Sequence, residues 1–161
     1  MSLEDRMGER VARAMRPEVA TLSPELPLEE AARTIIANRV SGMPVVEPGR
    51  GVVGVISLTD ILTVVISPGA EPEADRETTF YDPVRLEGLV GTLLDKADGA
   101  GRRVADAMSE RIVTVSQDAP LREAARLMAQ HRIHRVLVPD VGGQLVGILS
   151  ALDIVAIVAE S

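Results

Sequence analysis

The chain has 161 residues, a formal net charge of −7, 46% hydrophobic residues and 1% aromatic ones, so its core has to be built from Val, Ile, Leu, Ala and Met. It contains no cysteine, which excludes disulfides, thiolate metal sites and thiol nucleophiles and fits a reducing compartment. The acidic balance argues against a nucleic-acid partner: the densest basic group, Arg126, Arg132, His134 and Arg135, is too small for a polymer and large enough for one phosphate.

The opening residues Met1 to Arg6 lack the charged-then-apolar pattern of an export signal, and no apolar run reaches the roughly 18 residues of a membrane span. The expectation is a soluble, cytoplasmic protein. Sliding the sequence along itself lays residues 11–62 on residues 104–155 without a gap, with roughly a third of the pairs identical. Val11 to Met15 fall on Val104 to Met108, Pro27 to Arg33 on Pro120 to Arg126, and Gly54 to Ser57 on Gly147 to Ser150. The chain therefore reads as a duplicated unit, with residues 8–67 as a first domain, 68–100 as a linker carrying an extra helix, and 101–161 as a second domain.

Each unit begins with a short extended run, Val19 to Leu22 or Ile112 to Val115. An amphipathic helix follows, marked by Leu28, Ala31, Ala32, Ile35 and Ile36 and by Leu121, Ala124, Ala125 and Met128, each opened by a proline whose missing N–H does no harm there. Two β-rich runs come next, Met43 to Glu47 and Val52 to Ser57 in the first unit, Val136 to Val138 and Leu145 to Leu149 in the second, joined by glycine-bearing turns. The closing helices, Asp60 to Ile66 and Asp153 to Ala159, are apolar on nearly every face and ask for burial on every side. The order β-α-β-β-α makes an α+β fold whose small sheet cannot cover such a helix alone. The two units are expected to pack on each other, and the pair on a second copy as a homodimer.

Between the repeats, Ser67 to Glu73 is a polar, proline-rich linker, and Leu86, Leu89, Val90, Leu93 and Leu94 predict an extra amphipathic helix that Gly88 and Gly91 weaken. Phe80 and Tyr81, the only Phe and Tyr, precede it, placed either to stack on a base or to cap a core.

The polar residues that repeat sit at the junction between the second β-run and the closing helix. Ser57 and Thr59 with Asp60, and Ser150 with Asp153, set hydroxyls and a carboxylate beside the free N–H groups of a helix start. Two readings stand open. The carboxylate can accept from both hydroxyls of a ribose while the hydroxyl and N–H groups suit a phosphate, or the same residues simply cap the helix. His131 and His134 lie three apart without thiolate company, a poor metal set. His134 reads as a phosphate contact or a strand-edge residue. No nucleophile accompanies Asp60, Asp153 and His134, so catalysis is not expected.

The stretches Ser41-Gly42-Met43-Pro44-Val45-Val46 with Gly54-Val55-Ile56-Ser57-Leu58-Thr59-Asp60, and His134-Arg135-Val136-Leu137-Val138 with Gly147-Ile148-Leu149-Ser150-Ala151-Leu152-Asp153, closely resemble the cystathionine-β-synthase (CBS) domain pattern. The resemblance implies a pseudo-twofold pair of units, a Bateman module, with small mixed sheets, helices on the packing face, and two clefts between the units. Such clefts bind AMP, ADP, ATP, S-adenosylmethionine or a related adenosyl ligand as a regulatory signal, with no obligatory cofactor. Carried onto this chain, it implies ligand contacts from Thr21, Ser41, Gly42, Met43, Pro44, Ser57, Thr59 and Asp60, and from Thr114, His134, Arg135, Val136, Ser150 and Asp153. The family couples ligand occupancy to a partner, here either a separate effector protein or a part of a longer chain. The alternative is a purely structural dimerisation or docking module whose clefts hold no ligand.

Overall fold

The structure is a computed structural model that describes residues 1–66 and 101–160. The linker, the extra helix expected around residues 86–94, and Phe80 and Tyr81 lie outside the described residues. The chain divides into two compact units: a first-repeat unit running from Ala20 to Arg111, and a second-repeat unit made of Met1–Val19 with Ile112–Ser161.

In the first-repeat unit, helix α2 (Leu28–Ala37) precedes an antiparallel hairpin of β1 (Gly42–Glu47) and β2 (Gly51–Ser57), which runs directly into α3 (Leu58–Ile66). The periodic residues Leu28, Ala31, Ala32 and Ile35 of α2 are buried against Met43, Val45 and Ile56 of the hairpin and Leu58, Ile61, Leu62 and Val64 of α3. The extended run expected at Val19 to Leu22 shrinks to one parallel bridge, Leu22 to Val45, held by Leu22 N–H to Pro44 O at 2.9 Å and Val46 N–H to Leu22 O at 2.9 Å. A parallel edge on an antiparallel hairpin makes the small sheet mixed.

The same unit takes in α4 (Val104–Ala107), which in sequence leads the second repeat. Val104 and Ala107 are fully buried in the first-repeat core, and Ser109 exchanges two backbone hydrogen bonds with Val55 of β2, at 2.8 and 2.9 Å. Gly54 makes this approach possible: a Cβ there would stand 2.7 Å from Met108 Sδ and 2.9 Å from Ser109 O, so any side chain would push the segment off the strand. Arg102 closes the other end of α3, its guanidinium donating to Val64 O at 2.6 Å, one of the carbonyls a helix end leaves without a partner.

The second-repeat unit repeats the plan. Helix α5 (Leu121–His131), strands β3 (Arg135–Pro139) and β4 (Leu145–Ser150) and helix α6 (Ala151–Ala159) follow in order, with Thr114 bridging Leu137 in parallel. Its added segment comes from the chain start. Val11, in a short 3-10 turn (Val11–Arg13), is fully buried in this core, and Arg16 exchanges backbone hydrogen bonds with Ile148 of β4 at 2.8 and 3.0 Å. Gly147 takes the place of Gly54, and a Cβ there would meet Met15 Cγ at 2.9 Å. Helix α1 (Leu3–Met7), capped by Ser2, packs on α5 and α6. Helices α2 and α5 end alike, each followed by an arginine in the left-handed region, Arg39 at φ 54° and Arg132 at φ 52°.

The two closing helices differ within the single chain: Leu58, Ile61, Leu62 and Val64 of α3 are buried, whereas in α6 only Ile154 is buried and Leu152, Val155 and Val158 are exposed at 70%, 58% and 43%. Helix α6 meets its own core along one stripe, Ile154 and Ile157, and the hairpin beneath it is too narrow to reach the opposite face.

Candidate functional site

The two strand-to-helix junctions are built alike. In the first-repeat unit, Ser57 pairs with Gly42 across the hairpin, and Leu58 N–H donates to Ser41 O at 3.0 Å, so the first turn of α3 starts beside the Ser41-Gly42 entry to β1. Ser57 N–H donates to Asp60 Oδ2 at 2.9 Å while Asp60 N–H donates to Ser57 Oγ at 3.1 Å, a reciprocal capping box. Asp60 is half-buried. Loss of hydration pushes its carboxyl above the usual aspartate range, opposed in part by the backbone and side-chain hydrogen bonds with Ser57. Among the described residues no cation pairs with it.

In the second-repeat unit, Ser150 pairs with Arg135, and Ala151 N–H donates to His134 O at 2.8 Å. The capping box is repeated, Ser150 N–H to Asp153 Oδ2 at 2.9 Å and Asp153 N–H to Ser150 Oγ at 3.1 Å. Here the second carboxylate oxygen is engaged: Arg16 Nε lies 3.4 Å from Asp153 Oδ1. Arg16 stands in the repeat where Ser109 stands in the other unit, as its pairing with Ile148 matches that of Ser109 with Val55.

The structure thus brings together Ser41, Gly42, Ser57 and Asp60 at one junction, with Thr59 half-buried in the same first turn, and His134, Arg135, Ser150 and Asp153 at the other. His134 is exposed and Arg135 half-buried. It places Met43 and Val136 inside the two cores, at 2% and 0% exposure, so their side chains serve packing. Pro44 is buried, its carbonyl accepting from Leu22 N–H. Thr21 and Thr114 are exposed on the parallel edge segments. The residue that sequence reasoning missed is Arg16. Its signal was the substitution of arginine for serine between positions 16 and 109 of the repeat. Among the described residues no group of three or more His, Cys, Asp or Glu side chains is arranged to hold a metal, and no helix is long and apolar enough to cross a membrane.

The profile of the CBS domain matches residues 11–67 and again residues 104–160, both copies of the repeat. The chain belongs to the CBS-domain family. It is 26% identical to the chloroplastic CBS domain-containing protein CBSX1 of Arabidopsis thaliana over 87% of its own length and 59% of the relative's, so it spans well under two thirds of that protein. The crystal structure of CBSX2 in complex with AMP covers 95% of this CBS pair and 98% of that chain at a TM-score of 0.69 and 24% identity. The CBS domain pair of protein MJ0100, in complex with 5′-methylthioadenosine and S-adenosyl-L-methionine, covers 94% and 97% at a TM-score of 0.69 and 19% identity. These two likenesses show the fold. The CBS pair of this chain is an α+β arrangement of the same kind.

Proposed function

We propose that this CBS pair is a regulatory module that binds an adenosyl compound, such as AMP, ADP, ATP or S-adenosylmethionine, at its strand-to-helix junctions. The observation that carries this reading is the half-buried Asp60: Ser57 holds it in place through Oδ2, and no cation neutralises it among the described residues. A carboxylate fixed in this way is a ready acceptor for the vicinal hydroxyls of a ribose, and the first-turn N–H groups beside it suit a phosphate. CBSX2 and the MJ0100 pair, both of this fold, are known with adenosyl ligands. Among the described residues no side chain near either junction is placed as an activated nucleophile, and the module is read as a sensor and not a catalyst. A cytoplasmic setting fits the absence of cysteine.

Ligand occupancy is read out through conformation or through association of two copies. The exposed apolar residues Leu152, Val155 and Val158 of α6 support the second, and a separate effector protein would receive the signal. Static light scattering at micromolar concentration should give a homodimer, and Leu152→Asp should give monomers; a wild-type monomer defeats that part of the reading.

The rival reading, a structural docking module without ligand, has a specific observation in its favour, since both capping boxes are complete without any ligand. Thermal melts separate the two. At a ligand concentration a hundredfold above the dissociation constant, the folded state gains about 2.7 kcal/mol, which raises the melting temperature by several degrees. No shift with AMP, ADP, ATP, adenosine or S-adenosylmethionine at millimolar concentration would leave the docking reading standing.

A further inference from the structure

The two junctions share a backbone and differ in one interaction that the repeat makes easy to isolate. Arg16 is fixed by its backbone to Ile148 of β4, and its side chain leans on Asp153 through Nε, 3.4 Å from Oδ1. The side chain remains 67% exposed while that of Asp153 is only 15% exposed, so the guanidinium lies on the outer side of the carboxylate. The contact with Asp153 is through Nε, and the two terminal nitrogens carry four of the five donors of a side chain that is largely exposed. At the matching place in the other unit, Ser109 is pinned to Val55 in the same way but carries no charge, and its hydroxyl turns back to Arg111 N–H at 3.2 Å.

We infer that Arg16 is a phosphate-dependent latch on the second-repeat junction, making that site selective for phosphorylated nucleosides while the Asp60 junction also accepts the unphosphorylated nucleoside. The inference rests on the adenosyl-binding reading above. A nucleoside that offers its ribose hydroxyls to Asp153 must compete with Arg16 for the carboxylate and returns nothing to the displaced guanidinium. A nucleotide supplies both partners at once, its hydroxyls to Asp153 and its phosphate to the open fork of Arg16, a pairing that guanidinium geometry favours. At Asp60 there is no cation to displace among the described residues, and the phosphate adds what the helix N-terminus and nearby hydroxyls supply.

The test is isothermal titration with AMP and with adenosine, reading each junction in a variant that disables the other. In Asp60→Ala, which reports the Asp153 junction, AMP should bind at least about tenfold more tightly than adenosine, the scale of one hydrogen bond to a charged group. Adding Arg16→Ser should move the two ligands in opposite directions. AMP should weaken about tenfold, and adenosine should tighten about two- to fivefold, the worth of an exposed ion pair no longer broken. The converse variant Ser109→Arg, placed in the Asp153→Ala protein, should impose a preference for AMP on the Asp60 junction. Because residues 16 and 109 lie on segments bridged to β4 and β2 and neither is buried, both substitutions leave the core untouched. Equal losses for AMP and adenosine in Arg16→Ser, or an unchanged AMP affinity, would overturn the latch while leaving the adenosyl reading intact. Absence of binding by either ligand to the unmodified protein would remove that reading and the latch with it.

Discussion

The two strand-to-helix junctions of this CBS pair have the same hydrogen-bond skeleton and opposite electrostatic character. Each has a serine and an aspartate in a reciprocal box, with donor–acceptor distances of 2.9 and 3.1 Å in both units. Around that skeleton the first-repeat unit places Ser41, Gly42, Thr59 and Ser109, and the second-repeat unit places His134, Arg135, Leu152 and Arg16. The positions kept alike, Ser57 and Ser150, Asp60 and Asp153, Gly54 and Gly147, are those where backbone groups need a partner or a segment needs room. The positions that diverge carry side chains the fold does not require. A duplicated domain can thus keep its architecture while the side chains around its two junctions diverge.

The strongest way to break the comparison is to attack what the units share. Gly54→Val and Gly147→Val each set a side chain where Met108 or Met15 packs, and overfilling of this kind costs about 1–3 kcal/mol or more. Urea denaturation should show both variants destabilised by similar amounts. A loss confined to one of them would mean that the two added segments are not held alike.

Ligand binding probes what differs. Asp60→Ala should cost about 1.5–3 kcal/mol of binding at its junction, the range for a hydrogen bond to a charged group. The loss from Asp153→Ala should be smaller, because Arg16 already engages that carboxylate. Titration calorimetry with AMP on the two single variants settles the order. A larger loss from Asp153→Ala would make the paired carboxylate the principal ribose contact.

Much of this architecture is legible in the sequence, because the gapless repeat and the alternation of helical and strand periods come from packing needs that each residue states locally. Helices α2 and α5 and both hairpins fall within a few residues of where Leu28, Leu121, Val45 and Val136 place them. The affiliation of the leading segments is not local. Val11 and Arg16 are continuous with the first repeat in sequence, yet their buried side chain and backbone hydrogen bonds belong to the second-repeat unit, and Val104 and Ser109 show the converse. The approach of Arg16 to Asp153 was therefore invisible in the sequence, where the two residues are far apart and assigned to different repeats. Met43 and Val136 lie inside the motif, and the structure places their side chains in the two cores, which the motif alone did not tell. The exposed face of α6 escapes a period-based reading as well, because a helix apolar on all sides gives no clue to which side stays uncovered.

A smaller effect tests the helix ends that the units share. Arg39 and Arg132 hold left-handed backbone at φ 54° and 52° without the freedom of glycine. Arg39→Gly and Arg132→Gly should each stabilise the protein by about 0.5–1 kcal/mol. That is a rise of a few degrees at most in the melting temperature. If one variant is neutral and the other stabilising, the arginine at the neutral position makes a compensating contact.

The smallest expected effect concerns protons, and it isolates Asp60. Burial raises its carboxyl pKa above the unfolded value, with the hydrogen bonds from Ser57 opposing. A group of this kind binds its proton more tightly in the folded state, so its contribution to stability is fully present below the unfolded pKa and is lost as pH rises through the folded one. Asp60→Asn keeps an oxygen for Ser57 N–H and removes the titration. The stability of the wild type relative to this variant should therefore grow as pH falls from 7 toward 4, against the general acid sensitivity common to both proteins. Melts of the pair across that range read the difference directly. A difference that shrinks toward acid would mean that Ser57 and the N–H groups of α3 outweigh desolvation, and that Asp60 is held as a carboxylate by its cap.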